Sequence, residues 1–250
     1  DTLNGGAGAD TLTGGAGADT YQFNTGDAVT GESITEVSTD TGTDVISVVT
    51  STDFSAMSAA SFDNVEEVSL ASGQTGTFTG AQVTGETIAL RSAGNDGIVV
   101  NTAFGETVTV ANFTFAAWNS GTDTLTINGT GGNETITGST AVDTISSGAG
   151  NDVITGGDGA DIINVGAGTD TVVILDSGSG LDVVSNFTVG ANGDVIRLDL
   201  SGMEQDAGGA QDGNLIELSE SATGSIETSD TIVLTAITGA TDLNALAANT

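Results

Sequence analysis

From Gly129 to Val173 a branched apolar residue returns every nine positions, as Ile136, Ile145, Ile154, Ile163 and Val172. An acidic residue stands two places before each of them, at Glu134, Asp143, Asp152, Asp161 and Asp170. The units read GTGGNETIT, GSTAVDTIS, SGAGNDVIT, GGDGADIIN and VGAGTDTVV. The same pattern opens the chain as GGAGADTLT (Gly5 to Thr13) and GGAGADTYQ (Gly14 to Gln22), after the tail of another copy at residues 1–4. A short fixed period predicts small turn-plus-strand units that bury apolar surface only by stacking on their neighbours. The three residues after each acid, such as Val153-Ile154-Thr155, are short and β-branched, which suits a strand. Side chains alternate along a strand, so only the middle one faces inward. Glycines at the first, second and fourth positions open backbone angles closed to other residues and let the chain reverse. A flexible glycine-rich linker would not hold five apolar residues in phase with an acid.

Outside these blocks the pattern changes but strands remain the prediction. Tyr21 and Phe23 alternate with polar residues, and Asp44-Val45-Ile46-Ser47-Val48 reads as a buried strand. Residues 64–117 hold Thr-rich alternating runs (VEEVSL, GTFTG, GETIALR, GIVVNTAF, ETVTVANFTF) separated by turn residues, with no proline anywhere in the chain. A parallel β-solenoid that continues without the repeat is the preferred reading, and an antiparallel sandwich is second. DFSAMSAASFD, at 53–63, is the one convincing internal helix candidate, with DLNALAAN near the C-terminus as a second. Trp118 and the following NSGTDTL look like a degenerate unit leading back into the regular array. After Val173, Asp182-Val183-Val184 and Asp194-Val195-Ile196 keep the acid-then-apolar rhythm, and LIELS and DTIVLTAI predict two more strands. This last part should act as a cap, since an open solenoid end exposes apolar surface and unpaired strand edges. The expected organisation is therefore repeats at 1–29, a Thr-rich β region at 30–117, repeats again at 118–186, and a C-terminal β cap and tail at 187–250.

Composition narrows the chemistry. The chain carries 34 acidic residues against two basic ones, Arg91 and Arg197, for a net charge of −32. Nucleic acid and anionic membrane both reward positive charge, so neither is expected as a direct partner. Divalent cations are the natural counter-charge. The two arginines are expected to pair with carboxylates on outward strand faces. Without cysteine or histidine, disulfides, thiolate and histidine metal sites and Ser–His triads are excluded. Paired carboxylates of the glycosidase kind are the catalytic set that survives, but the regular acidic positions already have a structural explanation. The expectation is a protein that is not an enzyme. The 37% hydrophobic content argues for a packed core over disorder. No run approaches a membrane span.

The motif GGxGxDxUx resembles the nonapeptide repeat of the RTX family of secreted calcium-binding proteins. The resemblance implies an all-β, calcium-binding parallel β-roll or β-solenoid with capping β segments and little helix. Two units then complete one coil, so Asp152 stacks on Asp170 and Asp143 on Asp161 at roughly the 4.8 Å strand spacing. Two carboxylates that close repel by about 3 kcal/mol at an effective dielectric near 20. Calcium, with six to eight oxygen ligands at about 2.3–2.6 Å, reverses the sign. By resemblance, the ligands to several Ca2+ ions are Asp10, Asp19, Asp143, Asp152, Asp161 and Asp170, with the backbone of Gly6, Gly8, Gly15, Gly17, Gly148, Gly150, Gly157, Gly159, Gly166 and Gly168. Asp1 and Asp19 share an edge, while Asp10 needs a partner upstream or near Asp27. The unit at 129–137 carries Glu134 in place of Asp, and that at 138–146 lacks its second and fourth glycines, so the regular sites centre on Asp152, Asp161 and Asp170. A chain that opens inside a repeat is expected to be part of a longer polypeptide. The family further implies type I secretion to the bacterial extracellular space or cell surface, where calcium is high enough to fill weak sites. The rich Thr, Ala, Gly and Asp content resembles RTX-type S-layer proteins. That likeness implies homo-oligomers or polymers through solenoid ends or edges, without membrane insertion, and contact with cell-surface polysaccharide. A calcium-stiffened adhesin spacer and the secretion module of an exported hydrolase or toxin are the other readings.

Overall fold

The computed structural model describes residues 1–36, 41–175, 180–189, 193–199, 214–218 and 232–238. These residues wind as a parallel β-solenoid of about eight turns with almost no helix among them. The first coils are two-sided, formed by β1 (Thr2–Leu3) and β2 (Thr11–Thr13), then β3 (Thr20–Phe23) and β4 (Ser33–Thr35). The next coils have a third side. They comprise β5 (Val45–Val48), β6 (Thr52–Asp53) and a 3-10 turn (Ala59–Ser61); β7 (Glu67–Leu70), β8 (Thr75–Thr79) and α1 (Gly80–Val83). After these come β9 (Ala89–Ser92), β10 (Gly97–Asn101) and β11 (Thr107–Thr109); then β12 (Thr114–Ala116), β13 (Thr124–Thr130) and β14 (Thr135–Thr137). From there the coil is two-sided again: β15 (Asp143–Gly148) with β16 (Val153–Thr155), β17 (Ile162–Asn164) with β18 (Thr171–Leu175), and β19 (Val183–Ser185) with β20 (Val195–Asp199). β21 (Asn214–Leu218) and β22 (Ile232–Thr238) follow.

Register gives the size of each coil. Thr2 pairs with Thr20, Ile127 with Ile145 and Ile154 with Val172, each the step that two nine-residue units require. In the middle the step widens: Ile46 pairs with Val68, and Ile98 with Leu125. The extra residues supply the third side. Sheets β1-β3-β5-β7-β9-β12 and β6-β8-β10-β13-β15-β17-β19 overlap across this middle, and β11-β14-β16-β18-β20 closes the coil. The 3-10 turn and α1 bridge the gap between β4 and β11 on that closing face, where they pack on each other and on those strands. Parallel pairing throughout the coils removes the antiparallel sandwich from consideration.

The core follows from the coil width. In the narrow coils one branched residue per side fills the lumen, and Ile136, Ile145, Ile154, Ile163 and Val172 are all buried. The wider coils enclose more volume, and rings occupy it. Phe54 stacks on Phe78 with centroids 4.9 Å apart, and Phe23 and Phe62 meet it edge-on at 5.1 and 5.9 Å. Such offset and edge-to-face pairs are the favoured aromatic geometries.

Helix content departs in detail from the sequence expectation. Within 53–63 only a single 3-10 turn forms, while the one short α-helix among the described residues begins at Gly80. Its cause lies in Thr79-Gly-Ala-Gln82, a capping-box sequence in which Gln82 Oε1 accepts the Thr79 N–H at 2.8 Å. Both later strands, β21 and β22, are present, and β22 lies antiparallel on the edge of β19. The helix expected at DLNALAAN lies outside the described residues. No helix among the described residues is long and apolar enough to cross a membrane.

Candidate metal centre

The acids at the strand starts form ladders along the solenoid. The Glu134 N–H donates to Asp152 Oδ1, that of Asp143 to Asp161 Oδ1, and that of Asp152 to Asp170 Oδ1, each at 2.8 Å. The ladders continue past the repeats, from Asp161 N–H to Asp182 Oδ1 at 3.0 Å and from Asp170 N–H to Asp194 Oδ1 at 2.8 Å. In the first block the Asp1 nitrogen donates to Asp19 Oδ1, and the Asp19 N–H donates to Asp44 Oδ1. Asp10 finds its partner in Glu32, whose Oε2 accepts the Asp10 N–H at 2.7 Å. The expected partner near Asp27 is thereby corrected: the Asp27 carboxylate is turned to the backbone N–H of Asn24. A widened coil, in which Leu12 pairs with Ile34, carries Asp10 past Asp27 to Glu32.

Glu32, Asp44, Glu66, Asp96, Asp123, Asp182 and Asp194 were not among the sequence candidates, yet each accepts a backbone N–H from the coil before it. A signal for them exists. In most cases the acid stands two residues before a buried or half-buried apolar residue, as in Glu32-Ser-Ile34, Asp96-Gly-Ile98 and Asp123-Thr-Leu125. Glycine content hid the rule, because these acids lack the repeat's turn.

What separates the repeat acids from the others is the second oxygen. Asp10, Asp19, Asp152, Asp161 and Asp170 each keep a buried Oδ2 without a hydrogen-bond partner. At Asp96, Asp123, Glu134 and Asp194 the protein itself supplies one. Asp96 Oδ2 accepts from Ser92 Oγ at 2.7 Å and from the amides of Ala93 and Gly94. Glu134 Oε1 accepts from Thr130 Oγ1 at 2.6 Å and from the Gly105 N–H at 2.8 Å. Asp194 Oδ2 accepts from the Thr188 N–H at 2.6 Å. Inside the array Asp143 joins Glu134 as an exception. Its Oδ2 accepts from the Ser139 N–H at 2.6 Å and from Ser139 Oγ, because serine stands where the regular unit has its second glycine.

Electrostatics follow the same division. Burial pushes Asp161 up to about 8 and Asp170 up to about 6, with neighbouring acids adding to both. Asp143 is pushed up to about 7 by burial, against the pull of its Ser139 hydrogen bonds. Burial also raises Asp152. For Asp96 and Glu134 burial pushes upward too, but the hydroxyl and amide donors outweigh it and leave both below the ordinary range.

Glycines serve two different ends here. Ten of the eleven at the second and fourth positions (Gly6, Gly8, Gly15, Gly17, Gly148, Gly150, Gly157, Gly159, Gly166 and Gly168) have positive φ, from +77° to +146°, and Gly132 in the irregular unit at 129–137 does not. Gly159, at φ +110°, also packs so close to the coil below that a Cβ would lie 2.5 Å from the Ala141 carbonyl oxygen. First-position glycines do not have positive φ, which corrects the expectation of one common reason. A Cβ on Gly138 would instead lie 2.6 Å from Asp143 Oδ2, and one on Gly5 2.8 Å from Asp10 Oδ2. They make room for the acid. The turns therefore stack carbonyl over carbonyl beside buried, unpartnered carboxylate oxygens. That donor set, all hard oxygen, suits calcium rather than a softer metal.

A family model, the RTX calcium-binding nonapeptide repeat, matches the chain four times, at residues 1–28, 119–148, 128–163 and 137–172. No curated protein and no solved structure matches the chain. Residues 1–28 and 119–172 thus match RTX calcium-binding nonapeptide repeats, wound here into the parallel coils of a β-roll.

Proposed function

We propose that this chain is a calcium-dependent extracellular structural protein that folds when Ca2+ enters its repeats and then self-assembles as an S-layer or surface filament. The observation that carries the reading is the set of buried Oδ2 atoms without partners at Asp10, Asp19, Asp152, Asp161 and Asp170. A folded state that buries them bare is costly; a calcium ion between coils gives them a partner. The ligands proposed are these five carboxylates with Asp143, together with carbonyl oxygens of the glycine turns, among them Gly6, Gly8, Gly15, Gly17, Gly148, Gly150, Gly157, Gly159, Gly166 and Gly168. Asp143 is the weakest of them, since Ser139 already occupies it. In the calcium-poor cytosol the chain stays extended and fit for type I export; outside, where calcium is around 0.1–1 mM, the weak sites of extracellular modules fill.

Assembly has its own support. Ile162, Leu181, Val189 and Val195, all large and exposed, lie in the last coils. Sheet β11-β14-β16-β18-β20 ends on β20 among the described residues. Apolar surface and a strand edge at one end of a rod favour head-to-tail contacts that do not close into a ring. Calcium titration followed by light scattering tests this: scattering should rise after circular dichroism reports folding. Monodisperse rods at saturating calcium would favour the adhesin-spacer reading instead.

Replacing Asp161 by Asn tests the ligand set. The amide oxygen still accepts the Asp143 N–H, but the charge is gone. The calcium midpoint should rise about tenfold, equivalent to ~1.4 kcal/mol, while the chelated protein becomes no less ordered. An unchanged midpoint removes Asp161 from the ligand set.

A further inference from the structure

We propose that Asp19, Glu36 and Asp44 form a divalent-cation site that closes the first repeat block with two carboxylates drawn from outside the repeats. The proposal rests on the reading of the regular turns as calcium sites, and extends it to residues beyond the 1–28 match.

One carboxylate oxygen from each of the three residues lies within 4.8 Å of the other two. Calcium holds its ligands at about 2.3–2.6 Å, so oxygens on opposite sides of one ion stand about 4.6–5.2 Å apart. A single ion can therefore touch all three. Asp19 and Asp44 are buried and Glu36 is half-buried.

The direction of Asp19 supports the geometry independently. Its Oδ1 accepts from the Asp1 nitrogen, while its buried Oδ2 has no hydrogen-bond partner. That Oδ2 lies against Gly14, where a Cβ would collide with it. β2 and β4 pair with Thr13 opposite Thr35, so the next position places Glu36 beside Gly14. The acid arrives over the glycine toward which Oδ2 is turned. Asp44 is fixed from the other side, with its Oδ1 accepting the Asp19 N–H at 2.8 Å and its own N–H donating to Glu66 Oε2 at 2.8 Å.

The backbone repeats the turn geometry as well. Gly42 lies directly over the Gly17 carbonyl, so that a Cβ there would overlap it, the relation Gly168 has to Gly150. Gly42-Thr43-Asp44 thus reproduces the G-x-D end of a repeat without the repeat's sequence. Charge then decides the occupant. Three carboxylates converge where one amino group, that of Asp1, meets Asp19 Oδ1, and of the two arginines Arg91 is paired with Glu67 and Arg197 stands on β20. A hard divalent cation with oxygen preference fits. Glu36 and Asp44 flank the connection from β4 to β5, so the ion would pin the coil where the two-sided roll meets the three-sided middle.

Terbium luminescence in the full chain reads this site selectively, because the only tyrosine, Tyr21, places its hydroxyl against the same Gly14 as Asp19 Oδ2. Terbium emission excited through Tyr21 should appear, be displaced by calcium, and vanish in Tyr21→Phe. Glu36→Gln should weaken that signal's metal affinity about tenfold through loss of one ligand charge. Glu36→Asp, which keeps the charge, should recover part of it, and Asp161→Asn should leave it unchanged. Equal affinity in wild type and Glu36→Gln, or equal losses in the Gln and Asp variants, overturns the proposal. If the chain binds calcium but Tyr21 sensitises no terbium, this site fails together with the place of Asp19 in the regular ligand set, and the array reading survives for the repeats from Asp143 to Asp170. If nothing binds calcium, the array reading itself has failed.

Discussion

Chelation is expected to abolish the parallel-β circular dichroism of this protein at neutral pH, and magnesium is expected not to restore it. Five acid pairs stand one coil apart between Glu134 and Asp194: 134 with 152, 143 with 161, 152 with 170, 161 with 182, and 170 with 194. With every acid ionised, repulsion of about 3 kcal/mol per pair would reach roughly the whole stability of an ordinary domain, about 5–15 kcal/mol; at neutral pH the metal-free fold escapes part of it only by keeping protons on Asp161 and Asp143. Burial adds to it, since each of these acids from Glu134 to Asp182 is shielded from water. The apolar column and the Phe cluster alone do not carry that load. Magnesium fails for a geometric reason: it demands near-ideal octahedral coordination at about 2.0–2.1 Å and keeps its waters. Stacked coils at fixed spacing cannot close to that distance. Concentrated monovalent salt provides the contrast, because at about 1 M the Debye length falls to ~3 Å and screens exposed charges far better than buried ones. Calcium at millimolar level should therefore restore order that potassium chloride does not. A chelated sample as ordered at low salt as the calcium-loaded one would end the account.

The repeat blocks were legible because every level of the sequence agrees there. Ile136, Ile145, Ile154, Ile163 and Val172 set the inward face, the acids set the turn, and the coil of two nine-residue units implied by the resemblance is reproduced by the pairing of Ile154 with Val172. Between Thr52 and Ala116 no period survives, since coil steps that are wider and unequal, as from Ile46 to Val68 and from Ile98 to Leu125, let turns vary in length without disturbing the stacked strands. Strand existence was still readable from alternation, but the third side was not: nothing local distinguishes β8 on one sheet from β9 on another. The lateral bond of Asp44 to the Asp19 amide was hidden for the same reason, as it depends on the long coil that sets Tyr21 against Ile46. Arg91 followed expectation. It lies exposed on β9 and makes a bidentate contact with Glu67 at 2.9 and 3.1 Å.

Acidification should order the calcium-free protein, a result opposite to the acid denaturation of most domains. The folded-state pKa values of Asp161, Asp143 and Asp170, raised by burial to about 8, 7 and 6, lie above the ordinary 3.8 of an unfolded aspartate. Between about pH 4 and pH 8 the folded chain therefore binds more protons than the unfolded one, and its stability falls as pH rises through that window. Below about pH 4 both states are protonated at these sites and the dependence ends. Asp96 and Glu134, whose pKa values lie below the ordinary range, act the other way: their contribution is present above the unfolded pKa and is lost as pH falls through the folded value. The two trends together place the optimum of the metal-free form near pH 4–5. Calcium inverts the slope, because its carboxylate ligands must be deprotonated and binding releases protons. The calcium midpoint should thus rise as pH drops from about 8 to 6, while in EDTA the β signal grows over the same interval. Measuring both curves on one sample separates the two effects. A chelated protein that loses order steadily from pH 8 to pH 4.5 would show that its buried aspartates are not held out of their charged form by the fold.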